Sequence, residues 1–483
     1  MEPSEMKSRC SRIFSPDIFT DWWLAGARPL AFMCEALLVG CLSLAITTGA
    51  QAGPTNAVTA LAPVSVSTSR SSGIYQVGEP IQVRIQARRP ADEAVRTIDY
   101  TVKLHGAKWL AGGELPLTNG VAEFTTKLTE PGSMLFTISG TNAAGQKFST
   151  LAGAVADYRE IRWPQPAPDD FDAFWDAKLA ESAHLPLNAR EEPVPLPAEP
   201  GIDYRKVTLD NIHGSHVYGQ LAHPHKAGKY PAILLVQYAG VYPLKRDNVT
   251  GLAREGWLVL NISAHDLPFD LPDNEMQKLA DGALKEYTTI GQTNRETSYF
   301  LRMFIGCQRA VEYLTMREDW NGRVLLVKGT SQGGLQSIVA AALDPKVTAI
   351  MALEPAGCGN TAQSSGRAWG WPYWQAHAQG PEAAEIMETS RYFDAINFAH
   401  RVKCPTLIGP GLMETTCPAS NVLAMGNLVS GPVEVVILPQ AGHQAHNDKR
   451  GETPFNQRSA AWLKALKEGQ MFGEFAPLNM PAK

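Results

Sequence analysis

Cysteine is scarce in this chain: 7 of 483 residues, with no Cys-x-x-Cys pair among them. So few cysteines at such spacing exclude a disulfide scaffold and a cysteine-ligated zinc site. Charge of one sign is lacking as well. Lys and Arg number 43 against 48 Asp and Glu, a net charge of −5, so there is no basic field for nucleic acid and no acidic tail. A mean hydropathy of −0.16 excludes a polytopic membrane protein. Disorder is excluded from the other side, because 44% of the residues are hydrophobic. At roughly 100–200 residues per domain, the chain has room for several domains with sizeable cores.

What is present begins with a leader. Lys7, Arg9, Arg12 and Arg28 precede an apolar stretch over residues 36–48, which closes on Ala50-Gln51-Ala52. That small-x-small ending is what a signal peptidase reads, so residues 1–52 are expected to be a signal peptide and the protein to be exported, to the periplasm or beyond. A retained anchor is one alternative, and a lipoprotein box at Leu38-Val39-Gly40-Cys41 is another. Cleavage after residue 52 removes Cys10, Cys34 and Cys41 and leaves Cys307, Cys358, Cys404 and Cys417.

From residue 60 to 157 the chain alternates apolar and polar residues over 64–68, 81–86, 98–104, 121–128 and 134–139. Gly78-Glu79-Pro80, Gly112-Gly113, Asn119-Gly120 and Pro131-Gly132 read as the turns between these stretches. The pattern predicts a small immunoglobulin-like β-sandwich, without the Cys…Trp…Cys pattern of antibody domains. No constellation for chemistry appears in it. It reads as a spacer or packing module, with sugar binding as the alternative.

A proline-rich joint over residues 163–169 leads into an amphipathic helix from Phe171, and the pattern then changes. Residues 232–236, 257–262, 323–327, 347–353, 406–409 and 433–438 are apolar runs of the kind that parallel strands buried on both faces require. Helical stretches such as 302–315 and 335–343 lie between them. Residues 158–475 are therefore expected to form a doubly wound, mostly parallel α/β sheet.

The chemistry lies at the ends of these strands. After the run at 323–327 comes Gly329-Thr330-Ser331-Gln332-Gly333-Gly334, a G-x-S-x-G sequence between strand and helix. Ser331 is the candidate nucleophile; the flanking glycines admit a tight turn, and the helix N-terminus faces a developing oxyanion. A serine hydroxyl needs a base. Pro439-Gln440-Ala441-Gly442-His443 follows the last apolar run and offers His443, with His446 as the rival. The acid that orients the imidazole is expected after the preceding run, where Glu414 stands; Glu354, one strand earlier, is the competing carboxylate. Between Cys358 and Tyr392 an insertion carries Trp369, Trp371, Tyr373 and Trp374, a candidate platform for a sugar ring or an acyl group unless these rings only pack the insertion onto the core.

Gly-x-Ser-Gln-Gly-Gly at 329–334, Gly-Leu-x-acid-x-x-Cys-Pro at 411–418 and Gly-His at 442–443 together resemble the acetyl xylan esterase and cephalosporin C deacetylase family of α/β-hydrolases. The likeness runs from about Pro166 to residue 468 and is nearest the branch with an N-terminal sandwich. The resemblance implies an α/β-hydrolase fold, Ser331, Glu414 and His443 as triad, and the amides of Gln332 and Val241 as oxyanion donors. Three departures stand out. The family's acid is usually Asp, its His-Gly before the oxyanion donor reads Ala239-Gly240, and its Arg-Gly-Gln motif is replaced by Ser263-Ala264-His265-Asp266. His265 joins the aromatic residues as a substrate-binding candidate.

The expected function is that of a secreted serine carboxyl-ester hydrolase removing acetyl groups from carbohydrate such as xylan. No metal or organic cofactor is needed for such chemistry, and the expected partner is the ester substrate alone, with no nucleic acid and no membrane span after cleavage. An esterase for larger aromatic or polymeric esters, a peptidase, and a non-catalytic carbohydrate-binding protein are the alternatives.

Overall fold

The computed structural model describes residues 62–89, 92, 95–443 and 449–470. The expected signal peptide and His446 lie outside the described residues. No described helix is long and apolar enough to cross a membrane.

The first eight strands are β1 (Val64–Thr68), β2 (Ile74–Tyr75), β3 (Ile81–Ala87), β4 (Thr97–Leu104), β5 (Lys108–Pro116), β6 (Val121–Thr126), β7 (Gly132–Thr141) and β8 (Lys147–Ala156). They form a sheet β1-β3-β6 and a second sheet β2-β8-β7-β4-β5. Alternate residues of β3 (Ile81, Val83, Ile85) share one core with Ile98 and Val102 of β4 and with Met134, Phe136 and Ile138 of β7. The period-two pattern thus buries one face of each sheet. Gly112 and Gly113, expected as a turn, instead lie inside β5, opposite Thr101 and Tyr100. A Cβ on Gly112 would come within 2.9 Å of the Tyr100 carbonyl on β4, so the missing side chain lets the two strands' backbones approach.

The remaining strands are β9 (Arg190–Pro193), β10 (Ile202–Asp210), β11 (His216–Pro224), β12 (Tyr230–Val236), β13 (Leu258–Ile262), β14 (Trp320–Thr330), β15 (Ala349–Leu353), β16 (Thr406–Gly409) and β17 (Val433–Val435). They make one sheet in the order β17-β16-β15-β14-β12-β13-β11-β10-β9. Pairing is parallel from β17 through to β13 and antiparallel from β13 to β9. The last strand is shorter than expected: beyond Val435 only an isolated bridge joins Leu438 to Gly411. The helices are α1 (Phe171–Ala183), α2 (Asp247–Arg254), α3 (Asp273–Asp281), α4 (Tyr299–Met316), α5 (Gln332–Leu343), α6 (Trp374–His377), α7 (Ala383–Tyr392), α8 (Ala395–Phe398), α9 (Ala419–Leu428) and α10 (Thr453–Lys467).

Burial on both faces explains the continuous apolar runs. Leu234 of β12 lies in one core with Phe304, Val311 and Val339 of α4 and α5, whereas its neighbour Ile233 lies in a second core with Val249, Ala253 and Trp462 of α2 and α10. The chain runs from β12 outward to β13, then returns to place β14 on the other side of β12. In sheets of this kind, such a reversal marks the carboxyl-end position at which ligands are seated. The eight-strand segment also touches this layer: Ser420 of α9 meets His105 at 2.7 Å and Ser133 at 2.6 Å, and the Ala368 amide donates to the His105 carbonyl.

Candidate active site

Ser331 stands where β14 turns into α5, with φ 56 and ψ −119. A side chain in this conformation is strained and persists only where its surroundings hold it. Here the Ser331 amide donates to Leu353 of β15, and its carbonyl accepts from Leu335 and Ala356. The glycines on either side are required by contact. A Cβ on Gly329 would lie 2.4 Å from the Gly333 backbone, and one on Gly333 would lie 2.7 Å from the Val236 carbonyl. Only bare backbone fits.

Three loop ends converge on this serine. Ser331 Oγ lies 3.0 Å from His443 Nε2, and His443 Nδ1 lies 2.8 Å from Glu414 Oε1. The second oxygen of Glu414 accepts the Cys417 amide at 3.0 Å, which fixes the carboxylate's orientation. Glu414 is fully buried and His443 is partly exposed. A hydroxyl donating to Nε2 while Nδ1–H donates to a buried carboxylate is an arrangement able to draw a proton from the hydroxyl during attack on a carbonyl. Glu354, the rival acid, is also present, with Oε2 at 3.8 Å from the same Nδ1. Burial, then the neighbouring Glu414, push its carboxyl up to about 9. Cys417 Sγ completes a group with Glu414 and His443 whose ligating atoms lie within 4.8 Å of one another. Burial and the nearby carboxyls hold that thiol well above its ordinary value.

Residues 153–465 match the family described as Acetyl xylan esterase (AXE1). The chain belongs to this family. It is a carboxylic ester hydrolase. Acetyl esterase Axe7A of Xylanibacter ruminicola is 33% identical over 302 residues, covering 62% of this chain and 67% of that one. The fold is similar to that of the acetyl xylan esterase from Paenibacillus sp. R4, with 24% identity and a TM-score of 0.54 over 64% of this chain and 98% of that one.

The esterase's β12 loop, Gln237 to Val241, is held by a buried polar network that sequence reading did not find. Tyr287 O–H donates to the Gln332 side chain at 2.6 Å and accepts the Gly240 amide at 3.4 Å. It thereby joins the β12 loop to the first residue of α5. Gln336 reaches the Gln237 carbonyl at 2.7 Å, and Gln237 accepts the Ala264 amide at 2.9 Å. Gly240 takes φ 118, a conformation open to glycine. Val241, one of the two expected oxyanion donors, follows it directly; its amide has no acceptor among the described residues.

His265 is a correction. It is 1% exposed, and its ring spans Tyr299 Oη at 2.6 Å and the Gly240 carbonyl at 3.0 Å. Burial pulls it down to about 4, so the ring is neutral, with Nε2–H donating to Gly240 and Nδ1 accepting from Tyr299. It supports the β12 loop. Trp374 is the second correction: only 3% exposed, it stacks on Phe393 at 6.3 Å and leans on Phe300. Trp369, Trp371 and Tyr373 remain partly exposed. The Trp371 amide donates to Thr416, beside Glu414, and its carbonyl accepts from Gly357, so these rings sit on the loops of β15 and β16.

Proposed function

We propose that this esterase removes acetyl groups from carbohydrate, acetylated xylan being the first candidate, through a Ser331–His443–Glu414 triad. The observation that carries the reading is the unbroken hydrogen-bond chain from Ser331 through His443 to Glu414. His443 takes the hydroxyl proton as Ser331 Oγ attacks the ester carbonyl, and the oxyanion is met by the amides of Gln332 and Val241. The sugar alcohol leaves with the proton from His443, and an acetyl-enzyme remains. Water, deprotonated by the same imidazole, releases acetate. No step calls on a metal or organic cofactor.

Trp369, Trp371 and Tyr373 are the proposed sugar-facing surface, on which ring faces pack by burial of CH groups. Residues 1–52 are proposed as an export signal, 60–157 as an immunoglobulin-like module and 158–475 as the catalytic domain. Export to the periplasm or beyond would bring the enzyme to a polymeric substrate. The test is a comparison of kcat/KM on acetylated xylo-oligosaccharides and on p-nitrophenyl acetate, butyrate and octanoate. Acetyl esters should lead, since extra methylenes in a pocket without room cost about 1–3 kcal/mol. A rate rising with chain length, or activity on aromatic diesters alone, would overturn the acetyl reading and leave the ester hydrolase standing.

A further inference from the structure

Glu354 is the buried carboxyl at this site that takes no part in the proton transfers proposed above. It follows β15, is 3% exposed, and sits at φ 44, a strained conformation for a residue with a side chain. Its Oε2 points at His443 Nδ1 from 3.8 Å. Its Oε1 is buried with no hydrogen-bond partner among the described residues. Its carboxyl is within hydrogen-bonding reach of Glu414, and Glu452 contributes a further negative charge nearby. Two carboxyl groups therefore converge on one imidazole nitrogen. Adjacent carboxylates in a buried place do not both ionise; they divide one charge between them.

We propose that Glu354 is a reserve acid: it stands as a neutral carboxylic acid beside the Glu414 carboxylate, and takes over both the negative charge and the His443 Nδ1 hydrogen bond when Glu414 is removed. This deepens the triad reading and rests on it. In the intact enzyme the Glu354 proton lies toward Glu414, so Glu354 acts by positioning that carboxylate. Burial is the larger cause that keeps Glu354 neutral and Glu414 the second. Truncating Glu414 removes the like charge and opens its space to water, which relieves both. An advance of about 1 Å then brings Oε2 to hydrogen-bond distance of Nδ1, and the unpartnered Oε1 has no bond to give up.

The test compares kcat for p-nitrophenyl acetate in the parent, Glu354→Gln, Glu414→Ala and the double variant, with circular dichroism as the check on folding. Gln keeps the volume of Glu354 and cannot ionise. In the parent background, Glu354→Gln should lower kcat by less than about fivefold. In the Glu414→Ala background it should cost at least a further ~30-fold, because the last charge beside the imidazole is then lost. Equal factors in the two backgrounds, or no further loss in the second, would overturn the proposal, since a merely structural Glu354 predicts one of these. If the alanine protein does not fold, Glu414→Ser serves as the background. Failure of the triad reading itself looks different: Ser331→Ala would stay active, whatever the acids do.

Discussion

Glu414 Oε1 lies 2.8 Å from His443 Nδ1, a hydrogen bond, whereas the nearer Glu354 oxygen stands at 3.8 Å, outside one. The two acids therefore differ in the contact that sets the imidazole tautomer. Replacing Glu414 by Gln fills the same space, removes the charge, and lets an amide N–H compete for Nδ1. A loss of at least ~10²-fold in kcat is expected for Glu414→Gln, below the fall of about 10⁴ seen for the analogous swap in a serine protease. For Glu354→Gln the loss should be far smaller. Steady-state rates on p-nitrophenyl acetate decide the order, and the reverse order would move the acid one strand earlier.

Tyr287 gives the second prediction. Its hydroxyl links the Gly240 amide to the Gln332 side chain, and so ties together the two segments that carry the proposed oxyanion donors. Tyr287→Phe leaves the ring in its packing and removes only the link. Misplaced donors weaken transition-state binding more than substrate binding, so kcat should fall about tenfold with KM changed less than twofold. A change confined to KM would show that the tyrosine serves substrate contact instead.

How much of this was legible in the sequence depended on where the determining contacts lie. Strands β12, β13 and β14 announce themselves because both their faces are buried, and Ser331, Glu414 and His443 because each follows an apolar run. Strands β5 and β8 do not. A Cβ on Gly112 in β5 would meet the Tyr100 carbonyl at 2.9 Å, and one on Gly153 in β8 the Leu412 carbonyl at 2.2 Å. A glycine inside a strand is explained only once the neighbour that needs the space is known. Tyr287 carries no local mark at all, since its partners are 45 and 47 residues away. Trp374 shares a cluster with three partly exposed aromatics, yet Phe393 and Phe300 claim it for the core.

Stability should depend on pH through two buried histidines. Burial pulls His105 down to about 3 and His265 to about 4, from an ordinary value of 6.5. Below pH 6.5 the unfolded chain takes up protons that the folded one does not, so stability is full above that value and is lost as pH falls toward 3–4. Glu354 and Asp394, whose buried carboxyls are pushed up, act in the opposite sense over the same window, because they keep protons that the unfolded chain gives up. The histidine share is therefore read by comparing the slope of melting temperature between pH 6.5 and 5 in a variant and the parent. His105→Gln should reduce that slope. An unchanged slope in the variant would contradict the assignment.

The central claim is that Ser331 is the nucleophile. Its most direct measurement is the initial rate of acetate release from acetylated xylan by Ser331→Ala, set against the parent at equal concentration of folded protein. With the hydroxyl gone there is no oxygen to form the acetyl-enzyme, and the rate should fall by at least ~10³-fold while the melting temperature stays near the parent's. A variant that keeps a tenth or more of the parent rate would contradict the account.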